Sequence, residues 1–208
     1  VINQTANGQG GGTDVVPPVI SNVAVSAITT QSFVVTWDTD ELSNSTVGYS
    51  TTATQFTKEV GTNALTNHAG AVGQHHVLVT GLVPNTKYYF QVKSADPLTN
   101  MSTDSNGGDG YTGTTLAGPA ISNVTTTSVD NISATVAWMT DINAASTVVF
   151  STHADLSGST TVTQNNSTTS HAVVLTNLSG GTKYYYKVQS DVAVDDNAGQ
   201  FYSFTTTL

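Results

Sequence analysis

One stretch of sequence occurs twice in this chain and limits how the rest can fold. The first copy covers residues 75–94 and the second covers residues 171–190, 96 positions later. The two copies agree at Leu82/Leu178, Thr86/Thr182, Lys87/Lys183, Tyr88/Tyr184 and Val92/Val188. In each copy, alternating apolar residues flank a short polar turn, a pattern that predicts strand, turn and strand. A period of 96 residues is too long for a solenoid repeat, so the duplication predicts two copies of one domain.

The duplication divides the 208 residues into three parts. We predict an N-terminal segment at 1–16, domain 1 at 17–115 and domain 2 at 119–208, each domain large enough for one β core. Residues 7–13 are Gly-rich and are predicted to form a linker. Residues 1–5 have two interpretations: a tail left by processing or by an upstream domain, or a donor strand that joins the sheet edge of a neighbouring subunit.

Short alternating segments separated by Gly, Pro and Asn predict strands only, with no helix of useful length. Phe33, Val35 and Trp37 should share one face of a strand, as should Ile132, Ala134, Val136 and Trp138. The predicted strands of domain 1 are 19–25, 31–38, 44–50, 56–60, 74–80, 86–94 and 110–115, with a long polar loop at 95–109. Domain 2 repeats the order at 119–124, 131–140, 145–151, 160–163, 170–177, 182–190 and 200–207. The prediction is an all-β chain of two tandem immunoglobulin-like β-sandwiches.

Composition excludes several classes of function. Only 9% of residues are charged, net charge is −9, and Lys plus Arg number five. Such a chain lacks the basic patch that nucleic acids or anionic lipids require. It has no cysteine, so thiol chemistry and Cys-based metal sites are excluded. No run of 18 apolar residues predicts a membrane-spanning helix, and the polar, Thr-rich composition is typical of extracellular or cell-surface proteins.

Three motifs carry a resemblance to a known family. They are Trp37 and Trp138, Ser-Thr-Val-x-(Tyr/Phe)-Ser at 45–50 and 146–151, and Leu-x-(Pro/Gly)-x-Thr-Lys-Tyr-Tyr-(Phe/Tyr)-x-Val at 82–92 and 178–188. They resemble fibronectin type III domains, in the variant found beside purple-acid-phosphatase-type enzymes and in bacterial surface proteins. The resemblance implies a spacer, adhesion module or enzyme appendage, and it implies no catalytic domain. The integrin-binding Arg-Gly-Asp tripeptide of some family members is absent.

The histidines and acidic residues are the candidate metal ligands. His75 and His171 occupy the same repeat position, which predicts a shared structural role, whereas His68, His76 and His153 have no equivalents. Acidic side chains cluster in predicted loops, at Asp38, Asp40 and Glu41, at Asp96, Asn100, Asp104, Asn106 and Asp109, and at Asp191, Asp195, Asp196 and Asn197. Oxygen-rich loops at one end of a sandwich can hold Ca²⁺, or they can be ordinary solvated turns.

No catalytic motif is present, so we predict no enzymatic activity, no catalytic residue and no bound cofactor other than calcium. Tyr88 and Tyr184 should face inward and form tyrosine corners, while Tyr89 and Tyr185 face outward and are available for surface contacts. Two functions remain open. The first is an extracellular structural or adhesion protein, such as a surface-layer or filament subunit, that makes protein contacts or self-associates. The second is an accessory module of a secreted enzyme that acts as a spacer or binds glycan through Tyr89 and Tyr185.

Overall fold

The computed structural model describes residues 14–66 and 74–208, which separate into two compact units, one ending at Leu116 and the other beginning at Ala117. Residues 1–5, the predicted linker at 7–13 and His68 lie outside the described residues. Apart from a 3₁₀ turn at Asn106–Gly108, every regular element in the described ranges is a strand. Those ranges contain no helix that is long and apolar enough to cross a membrane. The all-β prediction is therefore confirmed.

Residues 14–66 and 74–208 form fourteen strands. Those of domain 1 are β1 (Ile20–Ser26), β2 (Phe33–Thr39), β3 (Ser43–Ser50), β4 (Lys58–Thr66), β5 (His75–Val79), β6 (Lys87–Ala95), β7 (Met101–Asp104) and β8 (Tyr111–Thr114). Those of domain 2 are β9 (Ile121–Thr127), β10 (Ala134–Ser151), β11 (Thr160–Leu175), β12 (Lys183–Ser190), β13 (Ala193–Asp195) and β14 (Tyr202–Thr205).

Domain 1 is a sandwich of two antiparallel sheets. One sheet has the order β1-β2-β5, and the other has the order β4-β3-β6, with β7 and β8 both paired to β6. Phe33, Val35 and Trp37 point inward from β2, and Phe90 and Val92 meet them from β6. The period-two pattern of the sequence therefore places one apolar face of each sheet against the other, as predicted.

Domain 2 builds the same sandwich from two unusually long strands. The half of β10 that begins at Ala134 pairs with β9 and with the end of β11, and the half that ends at Ser151 pairs with the start of β11 and with β12. We predicted separate strands at 131–140 and 145–151, and that prediction was wrong because one strand runs through the register irregularity between Met139 and Ala144. Ile132 was also wrongly assigned to the inward face: it precedes β10 and is 60% exposed.

The polar stretch 95–109 was predicted as loop, yet it contains β7. Ala95 pairs with Met101 and Val92 pairs with Asp104, so the chain turns back along β6 before β8 continues the pairing. Domain 2 repeats this with β13 and β14 on β12. The final strand of each domain is thus split in two by an intervening loop.

The predicted tyrosine corners are present in both domains. The backbone N–H of Val83 donates to the Tyr88 hydroxyl at 2.9 Å, and that of Ser179 donates to the Tyr184 hydroxyl at the same distance. Both rings are buried. Each phenol therefore satisfies a backbone donor five residues upstream and fixes the connection that precedes β6 and β12.

Candidate functional site

A buried tryptophan–histidine pair lies at the centre of domain 1. Trp37 on β2 and His75 on β5 are cross-strand partners, and their rings stack with centroids 5.0 Å apart and planes 6° from parallel. Both side chains have 0% exposure. Every ring nitrogen has a hydroxyl partner: Trp37 Nε1 donates to Ser94 Oγ at 2.9 Å, and the two nitrogens of His75 contact Ser45 at 2.7 Å and Thr39 at 2.8 Å.

Domain 2 repeats this cluster almost atom for atom. Trp138 and His171 stack at 4.9 Å and 7°, Trp138 Nε1 donates to Ser190 Oγ at 2.9 Å, and His171 contacts Ser146 at 2.7 Å and Thr140 at 2.8 Å. We call these two sets of residues the tryptophan–histidine clusters. They differ at one position, because Ser43 near His75 becomes the buried Ala144 in domain 2.

The hydrogen-bond directions in the domain 2 cluster fix the tautomer of its histidine. The hydroxyl of Thr140 donates to the backbone carbonyl of Ile142 at 2.7 Å, so its oxygen accepts from Nε2–H of His171. Nδ1 then carries the lone pair and accepts from the Ser146 hydroxyl. Burial lowers the pKa of His171, and the charge of Asp191 opposes that shift only in part. The cluster is therefore assembled around a neutral imidazole.

A serine within 2.7 Å of a histidine invites comparison with a hydrolytic pair, and the surroundings argue against it. The serine and histidine of each pair, Ser45 with His75 and Ser146 with His171, are at most 2% exposed, so substrate cannot reach the hydroxyl oxygens. The second ring nitrogen of each histidine contacts a threonine instead of the carboxylate that orients the imidazole in hydrolases. The arrangement satisfies polar groups inside the core and supplies no nucleophile.

Three carboxylates converge at one end of domain 1. Asp14 precedes β1, Glu41 follows β2 and Asp96 follows β6, and one oxygen of each lies within 4.8 Å of the others. Asp96 is buried and accepts backbone N–H groups from Leu98 and Asn100, whose side chain also donates to it at 2.8 Å. We call this set the acidic triad. It unites Glu41 and Asp96 from two predicted loop clusters with Asp14, which we did not predict.

The acidic triad belongs to domain 1 alone. Counting from the tryptophans and the cluster serines, Ile142 stands in the place of Glu41 and Val192 in the place of Asp96. Desolvation raises the pKa of Glu41, with further contributions from Asp14, Asp40 and Asp96. Calcium binding by these loops stays a prediction, because carboxylate oxygens suit Ca²⁺ and also occur in turns without it.

Replacing Glu41 by glutamine is expected to stabilise domain 1 in EDTA at pH 7.5 by a few tenths to about 1 kcal/mol, the scale of exposed charge pairs. A raised pKa means that the folded state holds the proton more tightly, so the wild-type penalty appears as pH rises through that pKa and vanishes at low pH. Thermal melts of both proteins at pH 4 and 7.5 measure the difference. A variant that melts lower than wild type in EDTA at pH 7.5 contradicts this prediction. A wild-type gain on adding CaCl₂ that the variant lacks would support calcium binding.

Four other acidic side chains hold neighbouring segments of the sandwich together. Asp40 accepts the backbone N–H of Val19 at 2.7 Å, and Asp141 accepts that of Ala120 at 2.7 Å. Asp104 accepts the hydroxyl of Tyr111 at 2.8 Å, as Asp195 does that of Tyr202 at 3.0 Å. Burial first, and then the carboxylate bond, raise the pKa of both phenols to about 12. These carboxylates anchor the ends of strands.

The outward tyrosines each lie beneath a lysine. The Lys87 ammonium stands 4.9 Å from the Tyr89 ring centroid, and Lys183 stands 4.9 Å from that of Tyr185. Both rings are half-buried, and the geometry is that of a cation–π contact. Because the ammonium covers part of the face on which a sugar would stack, the role of Tyr89 and Tyr185 as surface contacts stays a prediction.

Sequence reasoning missed most partners of the two histidines. Ser45/Ser146, Thr39/Thr140 and Ser94/Ser190 all recur at matching positions of the repeat. The occurrence of the same polar residue at matching positions of both domains was the signal that could have identified these partners. His76 and His153 are exposed, and neither has a histidine at the matching position of the other domain.

The sequence of the chain matches one known family in both domains. The family described as "Purple acid Phosphatase, N-terminal domain" matches twice, at residues 18–106 and 119–206. The chain belongs to this family. The two matches confirm the resemblance that the Trp, Ser-Thr-Val and Thr-Lys-Tyr-Tyr motifs indicated, and they assign both domains to the non-catalytic N-terminal domain of purple acid phosphatases. No curated protein is significantly similar to the chain.

Among solved structures, the chain is similar to tandem fibronectin type III segments. The FN1–FN3 domains of chicken CNTN1 align with a TM-score of 0.39 and 14% identity, covering 92% of this chain and 68% of that one. A two-domain fibronectin type III segment of chicken tenascin aligns with a TM-score of 0.35 and 18% identity, covering 84% and 90%.

Proposed function

We propose that this chain is a non-catalytic extracellular module that acts by contact, as a structural or adhesion protein of a cell surface, surface layer or filament. The observation that carries the proposal is that the serine–histidine pairs and several carboxylates of the chain hold its own structure together. Both Ser–His pairs lie in closed clusters, and four acids outside the triad, Asp40, Asp104, Asp141 and Asp195, bond to backbone N–H groups or tyrosine hydroxyls.

Two hollows on the described surface are small. They measure about 260 and 200 Å³, lie along β4 and are open to solvent. Both are smaller than ordinary ligand sites of roughly 300–1,000 Å³. Glu59, the charged residue lining the larger hollow, is paired with Lys93. A surface of this kind suits contact with other macromolecules better than turnover of a small molecule.

Localisation in the native source tests this proposal directly. Immunogold electron microscopy of intact cells, with antibodies raised against the chain, should place label on the cell exterior or on surface fibres. Brief protease treatment of intact cells should also release the protein, as expected for an exterior location. Label confined to the cytoplasm would overturn the proposal, and a chain that turns over phosphate esters would overturn its non-catalytic part.

An accessory module of a secreted enzyme is the second candidate, favoured by membership of a family named for the N-terminal domain of an enzyme. In this role the chain is a spacer or binds glycan through the lysine-capped tyrosines. A glycan array should show binding by wild type that a Tyr89→Ala, Tyr185→Ala double variant loses. A Tyr111→Phe variant serves as control, since that ring stacks on Phe90 in the core. Equal binding by all three proteins would exclude the tyrosines as the site.

A further inference from the structure

The edge strands of the two domains differ in how they are protected from pairing with other chains. A free sheet edge presents unpaired N–H and C=O groups and recruits further strands unless charge, a bulge, proline or short length prevents it. In the described residues β1 and β9 carry a bulge, at Asn22 and Asn123, which both adopt positive φ. The edges formed by β7, β8, β13 and β14 are four residues long or shorter.

The outer strand next to β3 is protected by charge in domain 1. There β4 begins with Lys58 and Glu59, and Glu59 forms an ion pair with Lys93. Gly61 follows, where a Cβ would lie 2.2 Å from the Ser45 carbonyl oxygen. Charge and a glycine together make this edge a poor template for another strand.

The matching edge in domain 2 has neither charge nor glycine, and its register with β10 is regular up to Gln164. Its residues are Thr160, Thr161, Val162, Thr163 and Gln164, and they pair in regular register with residues 146–150 of β10. Four of the five are β-branched, none is charged, and neither glycine nor proline interrupts them. Thr160 and Thr161 stand where domain 1 has Lys58 and Glu59. We call these five residues the threonine edge.

We infer that the threonine edge pairs antiparallel with the same edge of a second copy of this chain. The inference rests on the proposed contact function and names its partner and site. A chain with net charge −9 repels its copies, so a self-contact requires a place where two copies meet without facing carboxylates. The threonine edge supplies such a place.

Antiparallel pairing about Val162 makes the contact self-complementary. Thr161 of each copy faces Thr163 of the other, and Val162 faces its own copy on the two-fold axis. Thr163 already lies 3.1 Å from Thr147 through their hydroxyls, so the second copy extends an existing threonine row with a favourable cross-strand pair. Asp155, in the loop before the edge, lies at opposite ends of the two copies and meets no like charge.

Exchange of the charged pair between the domains tests this inference on the full chain. Sedimentation equilibrium should show reversible dimers of wild type at concentrations up to about 1 mM, since five ladder residues predict a weak, small interface. A Thr160→Lys, Thr161→Glu variant, which copies the edge of domain 1, should dissociate at least tenfold more readily. The matched Lys58→Thr, Glu59→Thr variant should associate at least as well as wild type.

Cysteine pairing tests the register independently, since the chain has no native cysteine. Thr161→Cys protein mixed with Thr163→Cys protein should give a disulfide heterodimer, because directly opposed antiparallel residues have Cα atoms within disulfide range. Thr161→Cys protein alone should not cross-link. Wild type that stays monomeric, a charged variant that dimerises like wild type, or equal cross-linking of the single variant would each overturn the inference. None of these outcomes affects the extracellular, non-catalytic assignment, which localisation and activity assays test separately.

Discussion

Replacing Trp138 by alanine should cost domain 2 about 3–5 kcal/mol of unfolding free energy, the range for deleting a large buried aromatic side chain. Trp138 is 2% exposed and packs among the inward residues of β10, β11 and β12. Its loss removes the stacking partner of His171 and leaves the Ser190 hydroxyl without the indole N–H. Domain 2 should therefore unfold well before domain 1.

Calorimetry of the full chain, with hydrogen exchange assigning each transition to its domain, measures this effect. Met139→Ala is the matched control, because Met139 is the next residue of β10, is 45% exposed and should change stability by no more than about 0.5 kcal/mol. Trp37→Ala should reproduce the loss in domain 1. A Trp138→Ala protein whose domain 2 loses less than about 1 kcal/mol would contradict the central role of the cluster.

The fold was predictable to the extent that it is local. Alternation along residues 33–37 and 88–92 follows from strand geometry, and all inward residues predicted there are buried. The fusion of two predicted strands into β10 was not predictable, since Asp141 and Asn143 are typical of turns. The strand nevertheless runs through them, between the β11 pairings of Met139 and Ala144. The strand β7 was missed for a similar reason, because its polar residues are ordered by pairing with β6.

Only part of the acidic triad could be predicted from the sequence. Glu41 and Asp96 were expected at one end of a sandwich, since turns after β2 and β6 meet there. Asp14 could not be placed, because nothing in residues 1–16 indicates which loops they approach. His75 begins β5 as predicted, whereas His171 lies inside the long strand β11 and not at a strand start. The stack of each histidine on tryptophan depends on cross-strand register, which a single sequence does not specify.

Acidification should destabilise domain 2 through His171. In the folded domain its pKa lies below the ordinary value of 6.5 because of burial, so the unfolded chain binds the proton more readily. The stabilising contribution of the neutral ring is complete above pH 6.5 and is lost as pH falls below that value towards the folded-state pKa. Hydrogen exchange of domain 2 peptides from pH 7.5 to 5, corrected for intrinsic exchange rates, should report this loss.

A His171→Leu variant separates this effect from the titration of carboxylates. It should lower the stability of domain 2 by about 1–3 kcal/mol at pH 7.5, because the Ser146 hydroxyl loses its buried acceptor. Its stability should then fall less than that of wild type between pH 7 and 5, since no imidazole remains to be protonated. An identical pH slope in both proteins would exclude His171 as the acid-sensitive group.

The hydrogen bonds give the structural reason for that slope. Thr140 donates to the Ile142 carbonyl and so accepts from Nε2–H, which leaves Nδ1 facing a donor hydroxyl on Ser146. A second proton on Nδ1 requires the Ser146 hydroxyl to turn its own hydrogen away, so that its oxygen accepts from the ring and its hydrogen needs another acceptor. Asp191 is the charged group that favours the protonated ring, and its effect is smaller than that of burial. Domain 1 places Ser43 where domain 2 has Ala144, so a further hydroxyl lies 3.4 Å from Nε2 of its histidine.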